Sequence, residues 1–400
     1  MEIINKRLVN WASILDDKAR EQALATSTMP FIFPHLALMS DAHPGLGATV
    51  GSVIPTLGAI MPAAVGVDIG CGMMAMLTQF SIDGIRERPD TLKVVHQRIS
   101  EMVPLSAGNY NSQVWHQDTK RIIELEETKG IESAEKIAPN WRLQLGSLGS
   151  GNHFIEITVD ELGRVWLFLH SGSRGVGNKL AQKHIKIARE QCERRWINLP
   201  DPDLAYLVEG DREFTDYITD LRWAQKFARF NRESMMDRVA TAFGEYMMET
   251  VNPIRIIQCH HNYTECPESG LAEKWKHPRG SHGNIWLSRK GAIDASAGKP
   301  GLVPGSMGTA SYVVTGLGNP MSLNSSPHGA GRNFSRAIAR KSISRAQLNH
   351  AMEGIVWGES DEFLDEAPAA YKDIDTVMSD ARDLVKIEHT LHQILNVKGN

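Results

Sequence analysis

The chain alternates between helical stretches and glycine-rich segments that contain only short apolar runs. Residues 217–250 are the longest helical stretch, since Ile218, Leu221, Ala224 and Phe227 recur at the spacing of one buried face. The same pattern predicts helices over 16–25, 83–103, 117–137 and 178–195, and two or three more in the tail, 344–400.

The glycine-rich segments, 30–73 and 253–335, predict buried strands joined by tight loops. Within the second segment, the polar stretch 263–283 predicts a surface loop. No linker or internal repeat divides the chain, so we expect one domain over residues 1–400. Its fold class would be α+β, with a glycine-rich strand and loop core surrounded by helices.

Composition narrows the class of protein. Hydrophobic residues make up 42% of the 400 residues and charged residues 22%, as in soluble globular proteins. No apolar run is long enough to span a membrane, and the N-terminus lacks a secretory signal, so we expect a cytoplasmic location. Four irregularly spaced cysteines exclude a disulfide framework. A net charge of −4 means that any RNA contact needs a local basic surface.

The first candidate for chemistry is the segment VGVDIGCGM, which contains Asp68 and Cys71. Glycines between and after them let the backbone turn and bring both side chains to one ion. A carboxylate and a thiolate together suit a borderline divalent metal such as Zn²⁺. A buried cysteine in a core turn is the alternative interpretation.

Two strand-like runs flank the turn 160–163 and carry a histidine at each far end. The simplest hairpin register, with 159 opposite 164, places His153 opposite His170. Cross-strand neighbours have Cβ atoms ~5 Å apart, so both imidazoles could bind one metal site. The alternative is a pair of unrelated histidines in a sheet.

Strand alternation limits which side chains share a site. Asn152 and Glu156 would face away from His153, unless the strand has a bulge or lies at the rim of the site. In the segment CHHN, His260 and His261 would likewise point in opposite directions. Only one of them can reach a given ion, and spacing alone does not choose between them.

His328 lies in the segment SSPHGAGR, among residues with very small side chains. Small neighbours leave room for a phosphate group, and free backbone N–H groups can bind its oxygens. An imidazole nitrogen can attack phosphorus and form a covalent intermediate. A tight glycine turn that happens to contain a histidine is the alternative. The upstream segment 304–311 adds hydroxyls for phosphate or base contacts, although it is not a Walker A loop.

A basic stripe follows, because Arg332, Arg336 and Arg340 recur every four residues, with Lys341 and Arg345 nearby. On a helix these arginines would share one face and could follow an RNA backbone. A solvated helix face is the alternative.

Taken in order, these segments resemble the RtcB family of RNA ligases. The resemblance rests on VGVDIGCGM, LGSGNHFIE, LHSGSRGVGN, CHHNY, PGSMGTASY, SPHGAGR, AYKDID and the terminal VKG. It covers nearly the whole chain, from about residue 30 to the C-terminus.

The resemblance implies a ligand set, a nucleophile and a nucleotide site. Mn²⁺, as two ions bridged by the thiolate, would be bound by Asp68, Cys71, His153, His170 and His261. The family motif is His-Asn, which selects His261 over His260. His328 would take GMP from GTP. Guanine-nucleotide contacts would come from Asn152, Glu156, Ser306, Ser311, Ala330, Gly331, Tyr371 and Lys398, with Asn262, Arg174 and Arg332 near the phosphates.

The implied activity is GTP-dependent ligation of RNA, in tRNA splicing or RNA repair. RNA 2′,3′-cyclic phosphate or 3′-phosphate ends would be joined to 5′-hydroxyl ends through a histidine–GMP intermediate. We expect a monomer that acts on RNA, with an archease-like activator as a candidate partner. Two alternatives are a metal-dependent phosphoesterase that opens cyclic phosphates without ligation, and a non-catalytic RNA-binding protein. The second predicts loss of metal ligands, and all five expected ligands are present.

One segment departs from the family pattern. The family usually has Pro-Asp-Val-His followed by a Gly-x-Gly segment, and here the chain reads Ser40-Asp41-Ala42-His43-Pro44-Gly45-Leu46-Gly47. Asp41, His43, Gly45 and Gly47 are retained, but the local backbone would differ. This change bears on how an RNA end is positioned more than on guanylylation.

Overall fold

Strands and helices occur in both halves of the chain, and the computed structural model describes residues 1–267 and 283–399. The strands are β1 Glu2–Asn5, β2 Leu8–Asn10, β3 Leu36–His43, β4 Val50–Leu57, β5 Ala59–Ile60, β6 Gly72–Ser81, β7 Phe154–Asp160, β8 Arg164–Ser171, β9 Leu207–Val208, β10 Arg255–His260, β11 Asn262–Glu265, β12 Ile285–Lys290, β13 Ala292–Asp294, β14 Pro300–Val303, β15 Ser311–Gly316, β16 Ser325–Pro327 and β17 Val385–Lys398. The α-helices are α1 Asp17–Ser27, α2 Pro62–Val65, α3 Ile82–Arg86, α4 Leu92–Met102, α5 Thr119–Glu126, α6 Ile131–Ile137, α7 Trp141–Gln144, α8 Arg174–Arg194, α9 Arg212–Met247, α10 Arg336–Ser342, α11 Arg345–Ala351 and α12 Ile374–Asp380. Short 3₁₀ helices span His116–Asp118, Pro202–Leu204, Asp361–Glu366 and Pro368–Ala370.

Two large sheets dominate the described residues. One has six strands in the order β1-β2-β3-β4-β12-β11, and the other has seven in the order β10-β6-β8-β7-β17-β15-β14. Their inner faces share one core, in which Val53 and Leu287 of the first sheet join Phe168 and Val313 of the second. Two small pairs, β13-β16 and β5-β9, complete the strand pairing. The α+β prediction is confirmed.

The seven-stranded sheet is covered on both faces, and strand alternation divides its side chains between two cores. On β6, Met73 and Ala75 pack between the sheets, whereas Met74 and Met76 pack on the outer face. Helices α4 and α9 cover that outer face, where Met235 joins the core. The part of the sheet where β6 begins is therefore packed against a core on each face.

The predicted helices in the first 250 residues are confirmed with small shifts. The longest is α9, with 36 residues, and the stretch predicted at 178–195 is α8. The stretch at 16–25 is α1, and Asp16 caps it by accepting from the N–H groups of Lys18 and Ala19. The stretches at 83–103 and 117–137 each divide into two helices.

The prediction for the tail is wrong in its last part. Helices α11 and α12 are present, but Val385–Lys398 is a strand of 14 residues between β7 and β15. Leu391 and Leu395 are four apart, as on a helix, yet they pack into cores on opposite faces of the sheet. A bulge between Gln393 and Leu395 shifts the register, so these two residues, four apart, face opposite sides of the strand.

The predicted surface loop, 263–283, is also partly wrong. Its first residues, Tyr263 to Glu265, belong to β11, which pairs with β12. Residues 268–282 lie outside the described part of the chain. Among the described residues, no helix combines the length and apolar character needed to cross a bilayer.

Candidate active site

Five predicted metal ligands converge where the two large sheets meet. The Sγ atom of Cys71 lies 3.4 Å from His153 Nε2 and 3.3 Å from His170 Nε2. His153 Nε2 is 3.0 Å from an Asp68 carboxylate oxygen, and His170 Nε2 is 2.8 Å from His261 Nε2. The cysteine and the three imidazoles are buried.

The predicted hairpin is present, but its register is wrong by one residue. Position 154 lies opposite His170, and 159 lies opposite 165. The Asp160 side chain closes a longer turn by accepting from the backbone N–H groups of Leu162 and Arg164.

His153 precedes β7 and reaches the cluster from the loop, which removes the conflict over alternation. Glu156 lies two residues beyond position 154, the partner of His170, so it points to the same side of the sheet as His170. Asn152, Glu156 and His170 all line one cavity.

Adjacent histidines 260 and 261 have separate surroundings, as the alternation argument predicted. His260 ends β10, and its Nδ1 lies 2.8 Å from the Gly70 carbonyl and 3.0 Å from the Arg232 guanidinium. His261 lies where the chain leaves β10 for β11, a strand of the other sheet. Its backbone N–H donates to the Cys71 carbonyl, which holds it beside the cluster. The geometry therefore favours His261 as the ligand.

The donor atoms of this cluster fit a divalent cation. His153 Nδ1 faces the Leu148 carbonyl at 2.9 Å and His170 Nδ1 faces the Asn152 carbonyl at 3.2 Å, so each ring directs its Nε2 lone pair into the cluster. Burial lowers the pKa of His170 and, together with Asp68, raises the pKa of the Cys71 thiol well above its usual value. A bound cation would favour the deprotonated Cys71 thiolate. It would also be coordinated by the Nε2 lone pairs that point into the cluster.

The Asp68 carboxylate has room beside the same cation site because residue 172 is a glycine. A Cβ atom on Gly172 would lie 2.2 Å from an Asp68 carboxylate oxygen, so a larger residue there would displace the carboxylate. Burial opposes ionisation of Asp68, but the nearby His153 ring and Arg174 guanidinium lower its pKa below the usual range.

His328 follows β16 and lies against the metal-ligand cluster. Its ring centroid is 4.5 Å from that of His261. Its Nδ1 is 2.6 Å from an Asp41 carboxylate oxygen, and the same oxygen accepts from the backbone N–H groups of His328 and Gly329. Gly331 allows this approach, since a Cβ there would lie 2.2 Å from the Asp41 carbonyl and its φ is +74°.

A cavity of about 340 Å³ joins His328 to most of the predicted nucleotide residues. Of the predicted site residues, it is lined by Asp68, Asn152, Glu156, His170, His261, Asn262, Ser306, His328, Ala330, Gly331, Arg332, Tyr371 and Lys398. Cys71, His153, Ser311 and Arg174 are not among its lining residues. Ser311 supports the lining residue Gly305 by accepting its backbone N–H at 3.3 Å, and Arg174 lies 3.2 Å from His153 Nδ1.

Glu366 is a cavity residue that the sequence analysis missed. Its carboxylate accepts from Tyr371 Oη at 2.8 Å and pairs with Lys398 at 3.0 Å, Arg336 at 2.5 Å and Arg332 at 3.3 Å. Burial opposes its ionisation, but Lys398 and the two arginines lower its pKa to about 2. Glu366 therefore holds three cations and a phenol along one wall. The acidic pair at 365–366 was the available signal in the sequence.

Glu156, also on the cavity wall, has a different environment. Asn396 donates to one carboxylate oxygen at 2.8 Å, and the other oxygen is buried with no hydrogen-bond partner among the described residues. Burial, only partly offset by Lys398 and Asn396, raises the pKa of Glu156 to about 8. At neutral pH this carboxyl group retains its proton when the cavity contains no ligand.

The arginine stripe does not form the free basic track that the sequence suggested. Arg336 and Arg340 lie on α10, but both pair with Asp365, and Arg336 also pairs with Glu366. Arg332 precedes the helix and points to Glu366. These carboxylates neutralise most of the stripe within the chain, so the interpretation as an RNA track is not supported.

Comparison with known proteins identifies the family. A family model described as tRNA-splicing ligase RtcB matches residues 22–399. The chain belongs to the RtcB family. It is 42% identical over 400 residues to the RNA-splicing ligase RtcB of Escherichia coli K12, covering 95% of this chain and 94% of that protein. The tRNA-splicing ligase RtcB of Pyrobaculum aerophilum is 30% identical, covering 92% and 88%, and the RNA-splicing ligase RtcB of Mycobacterium tuberculosis is 29% identical, covering 89% and 94%.

The segment that departs from the RtcB pattern borders the site. Asp41 and His43 lie on β3, and His43 lines the cavity with its Nδ1 2.9 Å from the Asp41 carbonyl. Burial lowers the pKa of His43 to about 4, so its ring is neutral at physiological pH. The Gln22 side chain holds the following turn through both backbone groups of Gly45, at 2.7 and 3.0 Å. The altered segment thus keeps the hydrogen bond between Asp41 and His328, and Gln22 fixes the turn that follows.

Proposed function

We propose that the protein is a GTP- and Mn²⁺-dependent RNA ligase that joins 2′,3′-cyclic phosphate or 3′-phosphate ends to 5′-hydroxyl ends. The observation that carries this proposal is the position of His328. Its Nδ1 is held by Asp41, and its ring packs against His261 of the metal-ligand cluster in the same cavity. Membership of a family whose members are named RNA-splicing ligases supports the same conclusion.

In the first step, His328 attacks the α-phosphorus of GTP through Nε2. The new N–P bond replaces the bond to the bridging oxygen, and pyrophosphate leaves. Asp41 accepts the hydrogen bond from Nδ1, so the proton stays on that atom and the lone pair stays on Nε2. The same contact stabilises the positive charge that develops on the ring during attack.

Two transfers would follow. An oxygen of an RNA 3′-phosphate attacks the phosphorus of the histidine-bound GMP and releases His328. A 5′-hydroxyl oxygen then attacks the activated 3′-phosphorus, its proton is lost to solvent or a base, and GMP leaves. A cyclic phosphate end is first opened by water to the 3′-phosphate.

The residues that would hold Mn²⁺ are Asp68, Cys71, His153, His170 and His261. Bound there, Mn²⁺ would neutralise triphosphate charge and polarise the α-phosphate.

The guanine nucleotide would lie along the wall formed by Glu156, Ser306, Tyr371 and Lys398. Asn152, Ser311, Ala330 and Gly331 would complete its contacts, with Asn262, Arg174 and Arg332 near the phosphates.

The remaining expectations concern the setting of the enzyme. We propose one ligase domain over residues 1–400 that acts as a monomer in the cytoplasm, with an archease-like protein as activator. Cys71, Cys192 and Cys259 are present as thiols, which suits a reducing compartment.

Labelling with α-³²P-GTP and Mn²⁺ tests the proposal. Wild type should acquire acid-labile label on the protein, and His328→Ala should acquire none. His350→Ala, which removes an exposed histidine, is the matched control and should label normally. If folded, metal-loaded wild type takes up no label, with or without an archease-like protein, but still opens a 2′,3′-cyclic phosphate, the protein is a phosphoesterase and the ligase proposal fails.

A further inference from the structure

Lys290 is a buried lysine in the cavity that the proposed steps do not use. It is the last residue of β12, its exposure is 4%, and it lines the cavity. Its ammonium donates to the Leu46 carbonyl and, at 3.1 Å, to the Ala63 carbonyl. These are its two hydrogen-bond acceptors among the described residues, so one of its three N–H bonds has no partner there.

Its ion pairing distinguishes Lys290 from the other cationic residues of the cavity. Lys398, Arg332 and Arg336 also line the cavity, and all three pair with Glu366. Lys290 has no carboxylate within 4.0 Å in the described part of the chain. Burial lowers the pKa of Lys290 to about 7, an effect that Asp203 and Asp201 only partly offset, so an anion bound beside it would stabilise the charged form.

The backbone next to Lys290 lies against the nucleophile. The next residue, Gly291, is so close to His328 that an added Cβ would lie 3.0 Å from the ring carbon Cε1. Leu46, whose carbonyl holds the ammonium, lines the cavity and is also half exposed, so this wall reaches the rim. The cavity can enclose a nucleotide, whereas an RNA chain whose end enters the cavity must extend outward across the rim.

We infer that Lys290 binds the terminal phosphate of the RNA end that accepts GMP. The inference rests on the proposed function and adds a substrate subsite to it. Lys398 pairs with Glu366 in the cavity, whereas the Lys290 ammonium is held by the Leu46 carbonyl in the turn after β3. That turn would therefore position the RNA end through the Leu46 carbonyl.

The test compares binding of two RNA oligonucleotides of the same sequence, one with a 3′-phosphate and one with a 3′-hydroxyl, to the Mn²⁺-loaded protein. By fluorescence anisotropy, wild type should prefer the 3′-phosphate by about ten-fold, the typical value of one charge-assisted contact. Lys290→Gln should abolish the preference, and Lys290→Arg should keep part of it. Lys93→Gln, which changes an exposed lysine on α4, is the control and should keep all of it.

Guanylylation of the same proteins separates the possible outcomes. If Lys290→Gln keeps the 3′-phosphate preference, or raises the KM for GTP more than it weakens RNA binding, the assignment of Lys290 is overturned. In the latter case the lysine serves the triphosphate. Absence of guanylylation in wild type would sink the ligase proposal but would leave the comparison of the two RNA ends intact. Guanylylation of Lys290→Gln also shows that the variant is folded.

Discussion

The carboxylate of Asp41 holds the ring of His328 through a hydrogen bond of 2.6 Å between Oδ2 and Nδ1. The same oxygen accepts the backbone N–H groups of His328 and Gly329, so one buried carboxylate fixes both the ring and its loop. A carboxylate that faces Nδ1 keeps the proton there and leaves Nε2 as the nucleophile. The aspartate that survives in the altered segment therefore has a defined role.

Asp41→Asn should lower the rate of His328 guanylylation at least about 100-fold, because an amide can stabilise the wrong tautomer and supplies no charge. The rate of label transfer from α-³²P-GTP measures the effect. Asp83→Asn, at an exposed ion pair with Arg86, should leave the rate unchanged. A rate for Asp41→Asn within a few-fold of wild type would show that the carboxylate does not control the tautomer.

The neighbours His260 and His261 allow a matched test of the metal site. His261→Ala should weaken Mn²⁺ binding by more than about ten-fold, since even indirect partners of ligands cost that much. His260→Ala should leave Mn²⁺ affinity nearly unchanged but destabilise the fold by about 1 kcal/mol, because its ring fills a partly buried polar site beside Gly70 and Arg232. Titration calorimetry and thermal unfolding measure the two effects. Equal loss of Mn²⁺ affinity in both variants would contradict the assignment.

Local periodicity predicted most helices, and local residue composition marked the segments that contain the site histidines. Both depend on residues close in sequence. The register of the β7–β8 hairpin could not be predicted, since the Asp160 side chain lengthens the turn by one residue. The chain nevertheless brings His153 and His170 together, because His153 lies in the loop and is not bound by strand alternation.

Long-range pairing explains the remaining errors. A bulge interrupts the alternation of β17, and pairing with β7 and β15 determines that it is a strand. The arginine stripe has the pattern of an exposed face, but Asp365 and Glu366 lie more than 20 residues away in sequence and neutralise it. Neither contact can be inferred from the local pattern.

Removal of Glu366 should cost much more stability than removal of an exposed acid. Glu366→Ala leaves Lys398 and two arginines without their shared carboxylate, and a broken buried pair typically costs about 3–5 kcal/mol. Asp361→Ala removes an exposed partner of Arg345 and should cost less than about 1 kcal/mol. Urea unfolding measures both losses. Similar losses in the two variants would show that the buried cations find other partners.

The raised pKa of Glu156 predicts a stability that falls with rising pH. Between its ordinary value of 4.5 and about 8, the unfolded chain ionises this carboxyl group while the folded protein keeps its proton. Unfolding then releases a proton, so this residue lowers the free energy of unfolding by up to about 1.4 kcal/mol for each pH unit gained. Glu156→Gln removes the effect. Its stability relative to wild type should increase from pH 5 to pH 8, measured by urea unfolding without nucleotide. Glu127→Gln, an exposed control, should give a flat difference. A flat difference for Glu156→Gln as well would mean that Glu156 is ionised in the folded protein.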